Sequence, residues 1–319
     1  MRIPFSILSP YQRFWDDLLE QVGRWAELGL SLRQMQRAIG ESVGTQVGLR
    51  KLNEMVQHTR PVVEMPFRSV PPVILWDAIW VTLLVPTGQT YIDGRGRRRM
   101  RKAKEKVCVL VALGLYPQSG HWGILGWRLA ESESKAEWER LLVALETRGV
   151  YRERGVELFI HDGGAGLRAA LRQIHPFVPQ QRCLFHKQRN LRAAIQTTPD
   201  MSPQEVRTLK RQLMQHVRRV LAAPSPQAML RLRKAFEHQW QAQQPALVAT
   251  LCRDWPETTA FFRVLARFPH WRPRYLRTTS LLERVNRMLR RLFRAAGAFH
   301  SQFGLLTAVS RVLEPHRLL

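Results

Sequence analysis

Acidic residues are scarce in this 319-residue chain. Twenty-five Asp+Glu stand against 50 Lys+Arg, a formal charge of +25 and a pI near 11.4. So one-signed a surface points to a polyanionic partner, and its arginine-rich composition favours phosphate over a membrane surface. Cysteine is scarcer still. Cys108, Cys183 and Cys252 are odd in number and far apart, which argues against a disulfide framework and suits a reducing cytosol. No apolar run approaches the roughly 20 residues of a membrane span. The N-terminus, "MRIPFSILSPYQRFWDDLLE", is broken by Pro4, Pro10 and two aspartates, so it lacks the continuous apolar core of a signal peptide. The chain therefore reads as cytoplasmic and nucleoid-associated, with no membrane partner. There is no internal repeat or low-complexity tract, and a hydrophobic content of 45% is that of a globular protein.

What is present falls into four stretches. Residues 1–62 form an N-terminal region in which 11–58 read as helices, with breaks at Gly29–Ser31 and Gly40–Thr45. Helix, short turn, helix is the helix-turn-helix pattern, and its second helix offers Gln46, Arg50, Lys51 and Asn53 to a DNA groove. Small helical units that only pack or dimerise look the same. Residues 63–196 change character. "VILWDAIWVTLLV" from Val73 is apolar and β-branched, a buried strand with Asp77 in its middle. Strands at 106–116 and 121–130 flank a Pro117–Gly120 turn, and a helix at 134–149 ends on Gly149. A strand at Leu158–Ile160, a helix at 165–174, the strand "FVPQQRCLF" and a helix from about His186 follow. Three strands in hairpin order, then helix–strand–helix–strand–helix, is the order of a ribonuclease-H-like α/β domain with a mixed sheet.

Residues 197–270 read as an all-helical insertion, opened by the capping box Ser202-Pro203-Gln204-Glu205. Residues 271–319 return to the core. They are extended through "HWRPRYLR", then form a basic helix from Ser280 and a terminal helix near 302–313.

With seven aspartates in the chain, each bears inspection. An unpaired carboxylate in the middle of an apolar strand is costly, so Asp77 either pairs with a buried arginine or faces a cation. Asp162, in "ELFIHDGGAGLRAAL", ends another strand against glycines that let a ligand or backbone approach. It reads equally as a turn aspartate that caps the next helix. If the two strands are neighbours, both carboxylates lie on one side. Two aspartates with a third carboxylate are what a two-metal phosphoryl-transfer site needs. The third candidate is Glu283, alone among Arg284, Arg287, Arg290, Arg291 and Arg294. Ser280-Leu281-Leu282-Glu283 is also a capping box, and Asn286 and Arg287 share the glutamate's helix face. Cys183-x-x-His186 is half a zinc site with no second half, and its residues alone assign it no role. Between the first two strands, "DGRGRRRMRKAKEK" crowds Arg95, Arg97, Arg98, Arg99, Arg101, Lys102, Lys104 and Lys106 into a loop. It is either a solvated hairpin tip or a surface that lies on phosphates, and the overall charge favours phosphates.

Four blocks in this order resemble the bacterial Mutator-like DDE transposases of insertion sequences, over nearly the whole chain. "LWDAIWV" resembles the first-aspartate strand, "HDGGAGLRAAL" the second-aspartate motif, "QRCLFHKQRN" the Cys-x-x-His block, and "RTTSLLERVNRMLRR" the block of the third carboxylate. The resemblance implies that Asp77, Asp162 and Glu283 are catalytic, metal-holding residues and that Cys183 and His186 are an accessory pair. It implies a ribonuclease-H-like fold with a helical insertion. It also implies a Mg²⁺- or Mn²⁺-dependent cleavage at transposon ends, followed by attack of the freed 3′-OH on target DNA. The expected partner is double-stranded DNA, bound by a homodimer or larger assembly. Ala78 stands where the family usually has glycine, and His161 where a small residue commonly precedes the second aspartate. Two alternatives stay open: a nuclease on the same fold without strand transfer, and a non-catalytic DNA-binding descendant.

Overall fold

The computed structural model describes residues 66–318 and, of the first 65, residues 18, 19, 21–23, 25, 30, 32–44 and 47–58. The expected helix-turn-helix breaks at Gly29, Ser31 and Thr45, and the groove-facing Gln46, lie outside the described residues. The chain forms two compact units. One comprises residues 66–79, 108–286 and 318–319; the other comprises residues 1–65, 80–107 and 287–317.

The first unit is built on a five-stranded mixed sheet in the order β3-β2-β1-β4-β5. The strands are β1 (Val73–Ile92), β2 (Arg98–Tyr116), β3 (His121–Ala130), β4 (Leu158–His161) and β5 (Gln180–Arg182). β2 and β3 pair antiparallel, whereas β1, β4 and β5 run parallel. Strand alternation explains the two faces. Ile74 and Trp76 enter a core with Trp138, Leu141 and Leu145 of helix Lys135–Glu146 and Leu167 and Leu171 of helix Ala165–Ile174. Trp76 meets Trp138 and Phe159 edge-on, with centroids 6.2 and 5.8 Å apart. Leu75 and Asp77 therefore project from the opposite face.

Helix Lys135–Glu146 starts where Ser134 Oγ accepts a hydrogen bond from Glu137 N, and it stops at Glu146, short of Gly149. Gly149 lies in the following turn at φ +98°, with the Arg154 guanidinium filling the space a side chain would need. Its N–H donates to Glu146 O at 2.8 Å and the next N–H, of Val150, donates to Leu145 O at 3.0 Å, so Gly149 is the left-handed glycine that caps this helix, as expected. A second core sits among helices Leu184–Ala193, Pro203–Leu221, Pro226–Trp240 and Pro245–Cys252, around Leu213, Val217 and Leu247. Ser202 and Glu205 close the expected capping box. Buried Gln181 of β5 ties the end of this helical region to the sheet. Its Nε2 donates to Thr258 O at 3.2 Å, and its Oε1 accepts from Phe261 N at 2.9 Å. The segment read as extended, "HWRPRYLR", contains a short helix, Pro273–Leu276, with proline at its start.

In the second unit, helices Leu32–Val43 and Leu49–His58 enclose Met35, Ile39, Leu52 and Met55. The halves of β1 and β2 in this unit overturn the loop expected over 93–106. The basic run is strand from Arg98 onward, and only residues 93–97 turn. The fold-back is built by Asp93, whose backbone N–H donates to Arg97 O at 2.9 Å. β1 continues onto the C-terminal region through Leu84 N–H donating to Phe299 O at 2.8 Å.

Candidate active site

The register of β1 and β4 creates the site. Trp76 lies opposite His161, so the next residues, Asp77 and Asp162, leave adjacent parallel strands at the same level. Adjacent strands are about 4.8 Å apart. Asp77 is only 9% exposed. Its Oδ1 accepts from Ala78 N at 2.9 Å and its Oδ2 from Asn286 Nδ2 at 2.8 Å. Burial, then the negative charge of Asp162, and less strongly Glu133 and Glu283, push its carboxyl up from 3.8 to about 7; the Ala78 N–H opposes the shift. Among the described residues, no buried arginine pairs with Asp77. Its charged neighbours are carboxylates, which together with burial favour its protonated form.

Asp162 is not the N-cap of the next helix; Gly164 holds that position without a side-chain bond. Asp162 Oδ1 instead accepts from Gly164 N at 2.9 Å, a tight turn that fixes the carboxylate beside the strand end. Gly163 adopts φ +92°, and a side chain there would overlap the guanidinium of the buried Arg182. His161, fully buried, accepts from Gly163 N at Nδ1 (3.0 Å) and lies 3.2 Å from Gln180 Oε1 at Nε2, which places its proton on Nε2. Burial lowers its pKa to about 4, so it is a neutral brace under Asp162.

Glu283 lies in the first turn of helix Ser280–Ala296. The capping-box expectation does not hold: Ser280 is already helical, and the Glu283 carboxylate faces His186, with Oε1 3.4 Å from Nε2. Buried His186 is held towards the neutral form mainly by desolvation. Arg189 lies 3.4 Å from its Nδ1, while its Nε2 and Glu283 Oε1 face each other without a hydrogen bond. Cys183 is the joint between these elements. Its N–H donates to His161 O at 2.8 Å, and its sulfur accepts from Thr279 N and Thr279 Oγ1 at 3.3 and 3.2 Å. Burial raises the thiol's pKa. The Cys-x-x-His pair thus locks the helix that carries Glu283 against the end of β4 and sets the glutamate's partner.

Two residues that sequence reasoning missed belong to the site. Asn286 was placed on the face of Glu283 without a role; it is fully buried and binds Asp77. Glu133 carried no signal inside the polar run "ESESK". Its backbone carbonyl packs where Gly166 has no side chain, and this brings its carboxylate near Gly164 and Asp162. Because that contact is with backbone, Gly166→Ala should cost about 1–3 kcal/mol. Urea unfolding checks this as a lower midpoint at unchanged slope; an unchanged midpoint would show that the loop yields freely.

Among the described residues, no three Asp, Glu, His or Cys side chains are placed to hold one metal ion. The donor chemistry nonetheless fits a hard divalent cation. The cluster is all carboxylate oxygen, Asp77 is destabilised by its acidic neighbours, and Glu283 Oε1 is buried without a hydrogen-bond donor. The basic residues singled out by sequence are all exposed. Arg50 and Lys51 lie on helix Leu49–His58, both near Glu54, at 3.4 and 3.6 Å. Arg97 is in the β1–β2 turn, and Arg98, Arg99, Arg101 and Lys102 are on β2. Arg284, Arg287, Arg290 and Arg291 are on helix Ser280–Ala296.

The profile of a family described as "Transposase, Mutator family" matches residues 3–317. The chain belongs to that family. Among curated relatives of this Mutator-family member, the transposase for insertion sequence element IS406 of Burkholderia multivorans is 36% identical over 72% of this chain and 55% of its own length. The transposase for IS905 of Lactococcus lactis is 24% identical over 90% of this chain and 65% of its own. The chain thus spans between half and two thirds of the length of these two relatives. Among solved structures, a Mos1 mariner paired-end complex with Mn aligns over 81% of this chain and 78% of its own, at 13% identity and a TM-score of 0.22. A superposition that loose pairs no residues.

Proposed function

We propose that this chain is a DDE-type transposase of an insertion sequence, with a ribonuclease-H-like core in which Asp77, Asp162 and Glu283 hold Mg²⁺ or Mn²⁺. The observation that carries the reading is the β1–β4 register, which sets two buried-side carboxylates level on adjacent parallel strands while Asn286 ties the helix of Glu283 to Asp77. The strand order, three hairpin strands followed by two parallel ones, supports the ribonuclease-H-like assignment. Divalent cations bound by these carboxylates neutralise phosphate charge and activate the attacking oxygen.

The chain's own residues do the rest. His161 and Gly163 fix Asp162, Asn286 fixes Asp77, and Cys183 with Thr279 fixes the approach of Glu283. The substrate is duplex DNA. In cleavage, water attacks a phosphodiester at the element end; the P–O3′ bond breaks, and the 3′ oxygen leaves as a hydroxyl after gaining a proton. In transfer, that 3′-OH attacks a target phosphodiester, loses its proton and displaces a new 3′-OH. Arg50, Lys51 and the basic faces of β2 and of the helix from Ser280 hold phosphates, in a dimer or larger assembly on DNA. Residues 1–62 act as the helix-turn-helix module, 63–196 and 271–319 as the catalytic core, and 197–270 as its insertion. Among the described residues no helix is long and apolar enough to cross a membrane, and we place the protein in the cytoplasm at the nucleoid.

The test is incubation of purified protein with duplexes carrying the element ends, plus target DNA and Mg²⁺. A nicked end bearing a 3′-OH and a joined product are expected. Nicks without joined product would mean the nuclease alternative. Deleting residues 1–60 should abolish preference for element ends and leave salt-sensitive general binding; unchanged preference in a competition assay would place specificity elsewhere.

A further inference from the structure

The distal halves of β1 and β2 do something the carboxylate site does not require. Pro86–Ile92 and Arg98–Lys106 are exposed along their whole length, although both stretches are strand. A two-stranded ribbon with no hydrophobic face is marginal on its own, so its order needs other supports. At the tip, Asp93 Oδ1 accepts from Arg95 N and Arg97 N, both at 3.0 Å, and Oδ2 accepts from Arg97 Nε and Arg99 Nε at 3.2 and 3.0 Å. Along the ribbon, Arg98 Nε donates to Thr90 Oγ1 at 3.1 Å, and Arg101 lies 5.9 Å over the Tyr91 ring. At its base, Lys106 Nζ donates to Thr82 Oγ1 at 3.1 Å, and Lys102 Nζ donates to His300 O at 2.8 Å.

Strand alternation divides the cations unequally. Arg98, Lys102, Lys104 and Lys106 share one face of β2 with Met100. Arg99 and Arg101 share the other with Ala103 and Glu105; Arg99 is paired with the Asp93 carboxylate and Arg101 lies over the Tyr91 ring, whereas Arg98, Lys102 and Lys106 donate only to uncharged oxygens, of Thr90, His300 and Thr82, and keep their charge. One face thus presents a row of cations spaced about 7 Å apart or in multiples of it, on a support that is one hairpin wide.

We infer that this arm is a DNA-binding ribbon that enters the major groove, with the face of Arg98, Lys102, Lys104 and Lys106 on the phosphates. A two-stranded ribbon fits the major groove and not the narrower minor groove. The cations on the strand neutralise phosphate without base contacts, so the arm holds duplex DNA of any sequence. The inference rests on the reading of the chain as an enzyme of DNA.

The test compares three proteins, each confirmed folded by circular dichroism: the natural chain, a variant with Arg98, Lys102, Lys104 and Lys106 all changed to Gln, and a variant with Arg99 and Arg101 changed to Gln. Affinity for a 30-base-pair duplex of arbitrary sequence is measured by fluorescence anisotropy over a range of salt. The slope of log affinity against log salt should lose about 3 to 4 in magnitude for the first variant, at about 0.9 per phosphate contact, and less than about 1 for the second. A duplex with bulky groups on pyrimidine C5, which fill the major groove, should bind the natural chain more weakly and leave the first variant's affinity unchanged. Equal slopes in the two variants, or indifference of the natural chain to the blocked groove, would overturn the ribbon. A natural chain that binds no duplex at all would instead overturn the reading on which it rests.

Discussion

Asp162→Asn is expected to lower cation-dependent cleavage of an element end by about a hundredfold or more, roughly 2.7 kcal/mol or more of lost transition-state stabilisation, in a protein that still folds and binds DNA. The turn role of this side chain is separable from its proposed role as a cation ligand. As a turn residue, Asp162 accepts one hydrogen bond, from Gly164 N to Oδ1, and the amide of asparagine offers the same oxygen. In the proposed role as a cation ligand it would supply negative charge, which the amide removes. The substitution therefore spares the fold and strikes the chemistry. DNA affinity should hold or rise slightly, since one repulsive charge is gone from a basic surface. Cleavage near the natural rate by the folded variant would return Asp162 to a structural residue at the head of a helix.

Asp77→Asn is expected to stabilise the cation-free protein at pH 8. The carboxyl's pKa is about 7 in the folded chain against 3.8 in its ordinary setting. The sign follows from linkage. Below pH 3.8 the group is protonated folded and unfolded, and its contribution to stability is fully present. That contribution is lost as pH rises towards 7, because folding must either bind a proton or bury a charge; above 7 the loss is constant. A gap of about 3 units is worth on the order of 4 kcal/mol. The amide keeps one acceptor for the two donors, Ala78 N and Asn286 Nδ2, and one lost hydrogen bond costs about 1 kcal/mol. The variant should thus be more stable by roughly 3 kcal/mol at pH 8 and slightly less stable at pH 4, as read from urea midpoints in chelator. A variant destabilised at both values would show that Asp77 is satisfied in the apo protein.

Much of the proposed site was legible in the sequence because the placement of its aspartates depends on short-range rules. An aspartate in a run as apolar as "VILWDAIWV" must have a partner, and a strand–Asp–Gly–Gly–helix passage puts its carboxylate at a strand end. The resemblance then joined those residues to Glu283. What escaped depends on distant packing. Glu133 joins the site only because Gly166 lets the β3–helix connection close in, and nothing in "ESESK" marks that. Asn286 was on the right face, but its partner is 209 positions away. The capping-box reading of Glu283 failed because the helix begins one residue early, at Ser280; Thr279 precedes it and gives its hydroxyl to Cys183, a contact that crosses 96 positions. The basic run over 93–106 looked like a loop for want of apolar alternation; its strand order comes from Asp93 at the tip and from His300 and Thr82 at the base.

The central claim is that Asp77, Asp162 and Glu283 together hold divalent cations. Its most direct test is calorimetric titration of Mn²⁺ into the purified natural chain at pH 7, alongside Asp77→Asn, Asp162→Asn and Glu283→Gln. The natural chain should bind Mn²⁺ and release protons as it does so, since the raised carboxyl of Asp77 ionises on binding. Each variant should bind at least tenfold more weakly, and the proton release should vanish with Asp77→Asn. Uptake of Mn²⁺ by the Asp77 and Asp162 variants with unchanged affinity would contradict the account.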